Sequence, residues 1–447
     1  MIPRLAYQDL KKWKESANRK PLILRGARQV GKSTLVNEFS KEYDVYLHLN
    51  LDNRGDRKLF DDYQDIHELI EHIYVHCRQQ RSDGLTLLFI DEIQNSLQAV
   101  AMLRYFYEEA NHIHVIAAGS LLESLIDNHI SFPVGRVQFL ALRPLSFFEF
   151  LQGTGNDFEV QLILDRKADM AHERLMKLFK DYCVVGGMPE AVAVYSASDM
   201  DIMAVNDVYK SLLTSYIDDV EKYARKSTSL RHVIRHILEY GWGMGGETIT
   251  FERYANSSYK TREMGEAFRT LEKTMLLELA YPVTSAKVPL LPSFTKRPKL
   301  FWLDTGLVNY ASGMREDIFQ ATEVQDLWRG RMAEHIVAQE MLAASNDVRS
   351  KRFFWVTPKA GNSAEVDFVF QHKSKAIPVE VKSGTNAHLK SLHIYMDDAP
   401  HEIAVRVWSK PFRVDEVVTQ KGKKFLLFNV PFYYVHCMTE LIDEYLK

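Results

Sequence analysis

Between Pro21 and about Phe150, short runs of consecutive apolar residues alternate with longer stretches in which apolar residues recur at helical spacing. The runs PLILRG, VYLHLNL, LTLLFID and IHVIAAGS each read as a strand buried on both faces, and the longer stretches as amphipathic helices. Such alternation predicts a parallel sheet flanked by helices. Each run ends in polar or small residues, at the strand end where open α/β sheets take ligands. From Leu151 to Tyr223 the period is helical, broken by VVGGMPEAV, whose glycines and proline must interrupt or cap a helix.

Beyond Ser229 the pattern changes. A helix, LRHVIRHILEYG, is followed by TFERYANSS, by the long amphipathic TREMGEAFRTLEKTMLLELAYPV and by the strand-like KLFWLDTGL. Helix, turn, second helix and short hairpin predict a winged-helix arrangement. Ser312 to about Gln325 reads as a linker. The helix LWRGRMAEHIVAQEMLAAS then opens a separate small α/β unit with strands RFFWVTP, AEVDFVFQH, KAIPVEVKSG and HEIAVRVWS. The expected organisation is a core at 1–150, a helical segment at 151–225, a winged-helix-like unit at 226–312 and the last unit at 326–447.

Composition narrows this picture. A chain of 447 residues is too long for one hydrophobic core, and about two to four domains are expected. With 46% hydrophobic and 26% charged residues the composition is that of a folded soluble protein. A formal net charge of -3 offers no global attraction for nucleic acid, so such contact would need a local basic patch. Cys77, Cys183 and Cys437 are too scattered for a disulfide framework or a zinc site. No run of about 18 apolar residues is present to span a bilayer. The first residues, MIPRLAYQDLKKWKES, lack the apolar core of a signal peptide. A cytoplasmic protein without a membrane partner is expected.

The strongest chemical signal is GARQVGKS, Gly26 to Ser33, which fits G-x-x-x-x-G-K-[ST] and lies between an apolar strand and an amphipathic helix. The backbone of Gly26, Ala27, Arg28, Gln29, Val30, Gly31, Lys32, Ser33 and Thr34 would surround the phosphates of a nucleoside triphosphate at a helix amino terminus. Gly31 permits close approach, Lys32 would reach the outer phosphates and Ser33 would ligate magnesium. The run LTLLFIDEIQ ends in Asp91 and Glu92. Here an aspartate holds magnesium through water and the next glutamate polarises the attacking water. Ser120, in AAGSLLES, stands where it would either touch the terminal phosphate or the water, or cap a helix.

The words LRGARQVGKSTL, LLFIDEIQ, GSLLES, FPVGRVQFLALRPLSFFEFL, VVGGMPEAV and LFWLDTGL, with the acidic motifs near the carboxyl end, cover nearly the whole chain. Together they resemble the AAA-type or STAND-like ATPases of bacteria and archaea that carry a C-terminal domain of restriction-endonuclease type. The resemblance implies an α/β fold: an N-terminal P-loop NTPase parallel sheet with a helical lid, a winged-helix domain and a C-terminal restriction-endonuclease-like α/β domain. It implies that Arg136, in VGRV, senses or stabilises ATP within its own chain or from a neighbouring subunit of a homo-oligomer. It also implies that GGMP, Gly186 to Pro189, is a lid motif whose Gly187 and Pro189 lie near base and sugar.

A second chemistry lies near the carboxyl end. EVDFVF places Asp367 on a strand, and PVEVKSG places Glu380 and Lys382 on one face of the next. This is the pattern of the PD-(D/E)xK nuclease core. Asp367 and Glu380 would hold a second divalent cation, and Lys382 would orient water or steady a pentavalent phosphate. Glu334, on the preceding helix, is similar to the helical acid that completes such sites. Glu365 shares a face with Asp367 and either joins the site or simply lines the mouth of the cleft. Acid and base also alternate on ordinary wet strands, so a domain that binds without cutting stays open. Lys351, Arg352, Lys359, Lys373 and Lys375, interleaved with Phe353, Phe354 and Trp355, would suit either a nucleic-acid grip or a plain β surface. Lys260, Arg262 and Arg269 lie toward the exposed face of the second helix of the winged-helix-like unit, diluted by Glu263, Glu266 and Glu272. The expected function is magnesium-dependent ATP hydrolysis controlling a nuclease-like, DNA-binding domain. The alternative is a STAND-like nucleotide switch or scaffold.

Overall fold

The computed structural model describes residues 2–119, 133–220, 224, 227–313, 331–358, 364–382 and 389–447. The four apolar runs form β1 (Leu22–Arg25), β2 (Val45–Asn50), β3 (Thr86–Asp91) and β4 (Ile113–Gly119). With β5 (Gln138–Ala141), which the hydrophobic pattern does not single out, they make a sheet in the order β2-β3-β4-β1-β5, every pair parallel. All residues of β3 and β4 are buried, as parallel strands covered on both faces require. Register brings the carboxyl ends to one edge: Arg25 lies opposite Gly119, and Asn50 opposite Asp91. The glycine-rich loop and the two acids therefore leave the sheet on the same side.

The following segment is helical: Phe147–Gly153, Asp157–Leu164, His172–Val185, Pro189–Ala197 and Asn206–Asp218. A capping box starts the first, with Ser146 Oγ accepting from the Glu149 N–H and the Glu149 carboxylate accepting from the Ser146 N–H. The break at VVGGMPEAV ends one helix at Gly186, φ 78°, and starts the next at Pro189, where a missing N–H costs nothing.

Residues 227–313 hold helices Thr228–Tyr240 and Thr261–Lys273, an antiparallel pair of β6 (Leu277–Ala280) and β8 (Lys299–Trp302), a bridge from Thr248 to Lys299, and helix Thr305–Ala311. Between β6 and β8 the chain makes an excursion in which β7 (Pro282–Val283) pairs in parallel with β9 (Phe353–Val356). The strands that follow are β10 (Glu365–His372), β11 (Lys375–Lys382), β12 (Ile403–Trp408), β13 (Arg413–Val418) and β14 (Lys424–Pro431). The C-terminal sheet thus runs β13-β14-β12-β11-β10-β9-β7. The last unit is consequently not separate: β7 covers an edge that β9 would otherwise leave open. One apolar core continues from the first sheet through the helical segment into the C-terminal sheet. Among the described residues no helix is long and apolar enough to cross a membrane.

Candidate functional site

A cavity of about 1120 Å³ opens at the carboxyl edge of the first sheet. Gln29, Gly31, Lys32, Ser33 and Thr34 wall one side, Asp91 and Glu92 another, and Pro189, Glu190 and Ser211 of the helical segment a third. The loop turns through left-handed backbone at Gln29 (φ 63°) and Gly31 (φ 90°), from which helix Lys32–Phe39 starts. Gly26 is needed for a different reason, since a Cβ there would lie 2.4 Å from the carbonyl oxygen of Leu142. The side chains of Ala27 and Val30 point into the core.

Lys32 is buried, and its Nζ donates to the carbonyl oxygens of Gly26 (3.0 Å) and Ala27 (2.8 Å). Burial lowers this amine to about 8, against the opposing charges of Glu92 and Asp91. Ser33 Oγ donates to Asp91 Oδ2 at 2.5 Å, and the other Asp91 oxygen accepts the Glu92 N–H at 3.0 Å. A cation poised over loop carbonyls, beside a hydroxyl touching a carboxylate at a helix start, is a donor set that fits magnesium and a phosphate tail. Glu92 has left-handed backbone (φ 52°), and its carboxylate accepts from Gln94 Nε2.

Two supports come from distant sequence and carry no local signal. Arg4 Nη1 donates to Val30 O (2.8 Å), while its Nε meets Glu149 at 3.0 Å. Arg28 Nε lies 2.7 Å from Asp219, and Tyr216 Oη donates to Arg28 O at 3.3 Å. Both pin the loop to the helical segment.

The remaining nucleotide candidates separate. Ser120 lies outside the described residues. Pro189 lines the cavity, whereas Gly187 does not: its N–H donates to Asp304 Oδ2 at 2.5 Å, its carbonyl accepts the Leu145 N–H at 2.7 Å, and a Cβ would lie 2.3 Å from Leu145 O. The glycine serves close packing between units rather than the cavity wall. Arg136 precedes β5, whose Gln138 lies opposite Leu22, the first residue of β1. It therefore sits at the amino edge of the sheet, away from its own chain's loop, and pairs there with Glu108 at 3.0 Å.

In the C-terminal sheet, β10 and β11 pair with Phe368 opposite Val379, and Asp367 Oδ2 accepts the Val381 N–H at 2.7 Å. Glu380 and Lys382 share a face and touch, Nζ to Oε1 at 2.7 Å. Glu334 comes from helix Arg331–Ala343. The structure thus brings Glu334, Asp367, Glu380 and Lys382 to one cleft. It adds Lys299, from the start of β8, which lies 2.7 Å from both Glu334 Oε2 and Glu365 Oε1 and is only 4% exposed. Burial, then the charge of Asp367, raises Glu334 to about 7 and Glu380 to about 8, and burial raises Asp367. Burial works against the Lys299 ammonium, but Glu334, Glu365 and Asp367 outweigh it and leave its pKa raised.

This cleft offers a second cation one unpartnered ligand oxygen and one obstruction. Glu380 Oε2 is buried with no hydrogen-bond partner, as a waiting ligand oxygen would be. Lys299, however, takes the Glu334 end, and among the described residues no group of three or more His, Cys, Asp or Glu side chains is disposed to hold a metal ion. As placed, the carboxylates are compensated by ammonium groups.

The basic and aromatic residues of β9 and its flanks do not form an open grip. Phe354 and Trp355 are buried, Arg352 is buried against Glu278 at 2.8 Å, Lys351 pairs with Glu272 at 2.7 Å and Lys373 with Asp443 at 2.6 Å. Lys359 lies outside the described residues. In the preceding unit Lys260, Arg262 and Arg269 are exposed.

Residues 18–151 match the AAA domain family; residues 176–318 and 329–427 match two domains of unknown function, DUF8612 and DUF4143. No curated protein matches the chain. Solved structures similar to it include a Walker-type ATPase of Pyrococcus abyssi, 13% identical over 70% of this chain and 96% of that one with a TM-score of 0.47. Another is the RuvB Holliday junction branch migration motor of Thermotoga maritima, 16% identical over 62% of this chain and 86% of that one with a TM-score of 0.27. The glycine-rich loop, Asp91 and Glu92 all fall inside the first matched stretch, so the cavity's phosphate-facing side is built from the part of this chain, residues 18–151, that matches the AAA domain.

Proposed function

We propose that the chain binds and hydrolyses ATP with magnesium, and that the state of the nucleotide governs the acidic cleft of a nuclease-like, DNA-directed C-terminal domain. The observation that carries this reading is the contact of Ser33 with Asp91 beside the buried Lys32, under the helix begun by Pro189. Ser33 and Asp91 would hold magnesium, which supplies charge neutralisation at the phosphates. Lys32 is freed from its carbonyl partners when a phosphate offers stronger acceptors. Glu92, steadied by Gln94, aligns and deprotonates the attacking water. Arg136 is available at the far edge of the sheet to complete the site of a second copy of the chain.

A continuous set of contacts supports the coupling. Pro189 lines the cavity, and two residues before it Gly187 donates to Asp304. Asp304 also accepts the Leu307 N–H at 3.0 Å, and Gln339 Oε1 accepts the neighbouring Thr305 N–H at 2.9 Å. Gln339 belongs to the helix that carries Glu334. Movement of the Pro189 helix on hydrolysis therefore bears on the acidic cleft, and the exposed bases of the winged-helix-like unit are the DNA-facing candidates.

Lys299 favours a second reading, in which the C-terminal domain binds without cutting and the protein is a nucleotide switch. One experiment addresses both: phosphate release from ATP with magnesium, and nicking of linear, circular and single-stranded DNA with magnesium or manganese. Loss of phosphate release in Glu92→Gln and loss of nicking in Asp367→Ala and Lys382→Ala is the expected result. Nicking that is absent, or indifferent to Asp367 and Lys382, selects the switch, and no phosphate release in any condition rejects hydrolysis.

A further inference from the structure

A second cavity, of about 350 Å³, lies where the three matched units meet. Arg25 and Arg143 reach it from the first, Arg269 and Lys273 from the second, Lys351 and Arg352 from the third. Against these six basic side chains stand two acids, Glu272 and Glu278, both already engaged. Glu272 lies 2.7 Å from Lys351, and Glu278 receives Arg352 Nε at 3.1 Å and Nη2 at 2.8 Å. The lining keeps an excess of four positive charges.

Arg143 makes this more than a charged surface. Its Nε is buried with no hydrogen-bond partner. Burial pushes its guanidinium down to about 10, with Glu278 and, more weakly, Asp347 opposing and Arg352 and Arg25 adding like charge. A buried donor left without an acceptor is unfavourable, and more so in a charged group. A planar guanidinium satisfies phosphate oxygens through its forked donors. The volume lies at the small end of pockets for small molecules, roughly 300–1,000 Å³, and Phe301 and Trp302 supply an apolar wall. The cavity is joined to the phosphate loop through the chain itself. Arg25 directly precedes Gly26, and its carbonyl accepts the Leu142 N–H at 2.6 Å, next to Arg143.

We infer that this junction is a second anion site, one that takes a small phosphate-bearing molecule and fixes the three units around it. The site stands independently of ATP hydrolysis. A bound anion supplies the acceptor that Arg143 lacks, cancels the crowding of arginines, and holds the start of the phosphate loop.

The test is isothermal titration of the full chain with pyrophosphate in the absence of magnesium, in the native sequence and in Lys32→Ala, Arg143→Met and Arg269→Ser. Arg269 is exposed, so its replacement reports on the site even where Arg143→Met perturbs folding. Expected is binding that persists in Lys32→Ala and weakens at least tenfold in Arg143→Met and in Arg269→Ser. Binding lost in Lys32→Ala but unchanged in both arginine variants would assign all anion binding to the phosphate loop and overturn the inference. Displacement of pyrophosphate by a DNA duplex, lost with Arg143→Met, would make the ligand nucleic acid and overturn the small-molecule class.

Discussion

Lys299 of β8 and Glu334 of helix Arg331–Ala343 meet at 2.7 Å inside the C-terminal cleft, although they belong to different matched units. The same ammonium holds Glu365 at 2.7 Å and lies 5.1 Å from the Phe354 ring centroid. Removing one partner of a buried ion pair costs about 3–5 kcal/mol because the other charge is left uncompensated. Lys299→Met is therefore expected to destabilise the chain by about that much at pH 8, read by denaturant unfolding. At pH 6 the loss should be smaller, because Glu334, raised to about 7, takes a proton and no longer needs the ammonium. A loss below about 1 kcal/mol at both pH values would mean that the pair is not formed in solution.

Gly26 begins the phosphate loop under the carbonyl of Leu142, where a methyl group would stand 2.4 Å from that oxygen. The obstructing atom is backbone, and Leu142 N–H is itself bonded to Arg25 O at 2.6 Å, so it yields only by parting β1 from β5. Gly26→Ala is predicted to cost about 1–3 kcal/mol of stability, as overpacking does, and to weaken ATP binding at least tenfold. Equilibrium unfolding and nucleotide titration check the two effects; wild-type affinity in a folded Gly26→Ala protein would contradict the loop geometry.

The glycine-rich loop and the acid pair are legible in the sequence because each occupies a short stretch at a strand end, and the structure brings the two together at one cavity. Glu380 and Lys382 were legible as neighbours for a similar reason: a strand repeats every two residues. Lys299 was not, since its partners are supplied by another unit and its only local mark is a lysine opening the apolar run LFW. The winged-helix-like unit and the last unit read as separate because the two residues of β7 are too few to show a period. The basic and aromatic residues around β9 read as a surface, yet pairing on both edges with β7 and β10 puts Phe354 and Trp355 inside and turns Arg352 to Glu278. Gly187 shows how a motif word can hold two roles, with Pro189 on the cavity and the glycine on Asp304.

Glu340 gives the fold a pH dependence of known sign. Its Oε1 accepts from Tyr182 Oη at 2.7 Å and from the Phe147 N–H at 3.0 Å, and burial raises it from 4.5 to about 7 despite those bonds. The folded state thus holds a proton here that the unfolded state has released. Its contribution is complete below about 4.5 and is lost as pH rises through about 7, at about 1.4 kcal/mol for each pH unit between the two values. Glu340→Gln keeps the acceptor and removes the titration. Unfolding free energies at pH 5 and pH 8 should differ by about 3 kcal/mol less in this variant than in the native sequence. An unchanged difference would show that Glu340 is ionised throughout.

Arg136 tests whether a second copy of the chain completes the nucleotide site. The register of β5 on β1 sets it at the amino edge of the sheet, where its partner is Glu108 at 3.0 Å. That pair is largely exposed, so Arg136→Ala should alter stability by less than about 1 kcal/mol. ATP affinity measured on the dilute chain should stay within about twofold, because nothing in the chain's own cavity is touched. If a neighbour uses the arginine, turnover falls by about 10³-fold or more at concentrations where copies associate, the scale of an arginine supplied in trans. Mixing Arg136→Ala with Glu92→Gln should then restore part of the activity, since the first supplies an intact Glu92 and the second an intact Arg136. A drop in ATP affinity in the dilute Arg136→Ala chain would instead place the arginine at its own loop and refute the strand register that separates them.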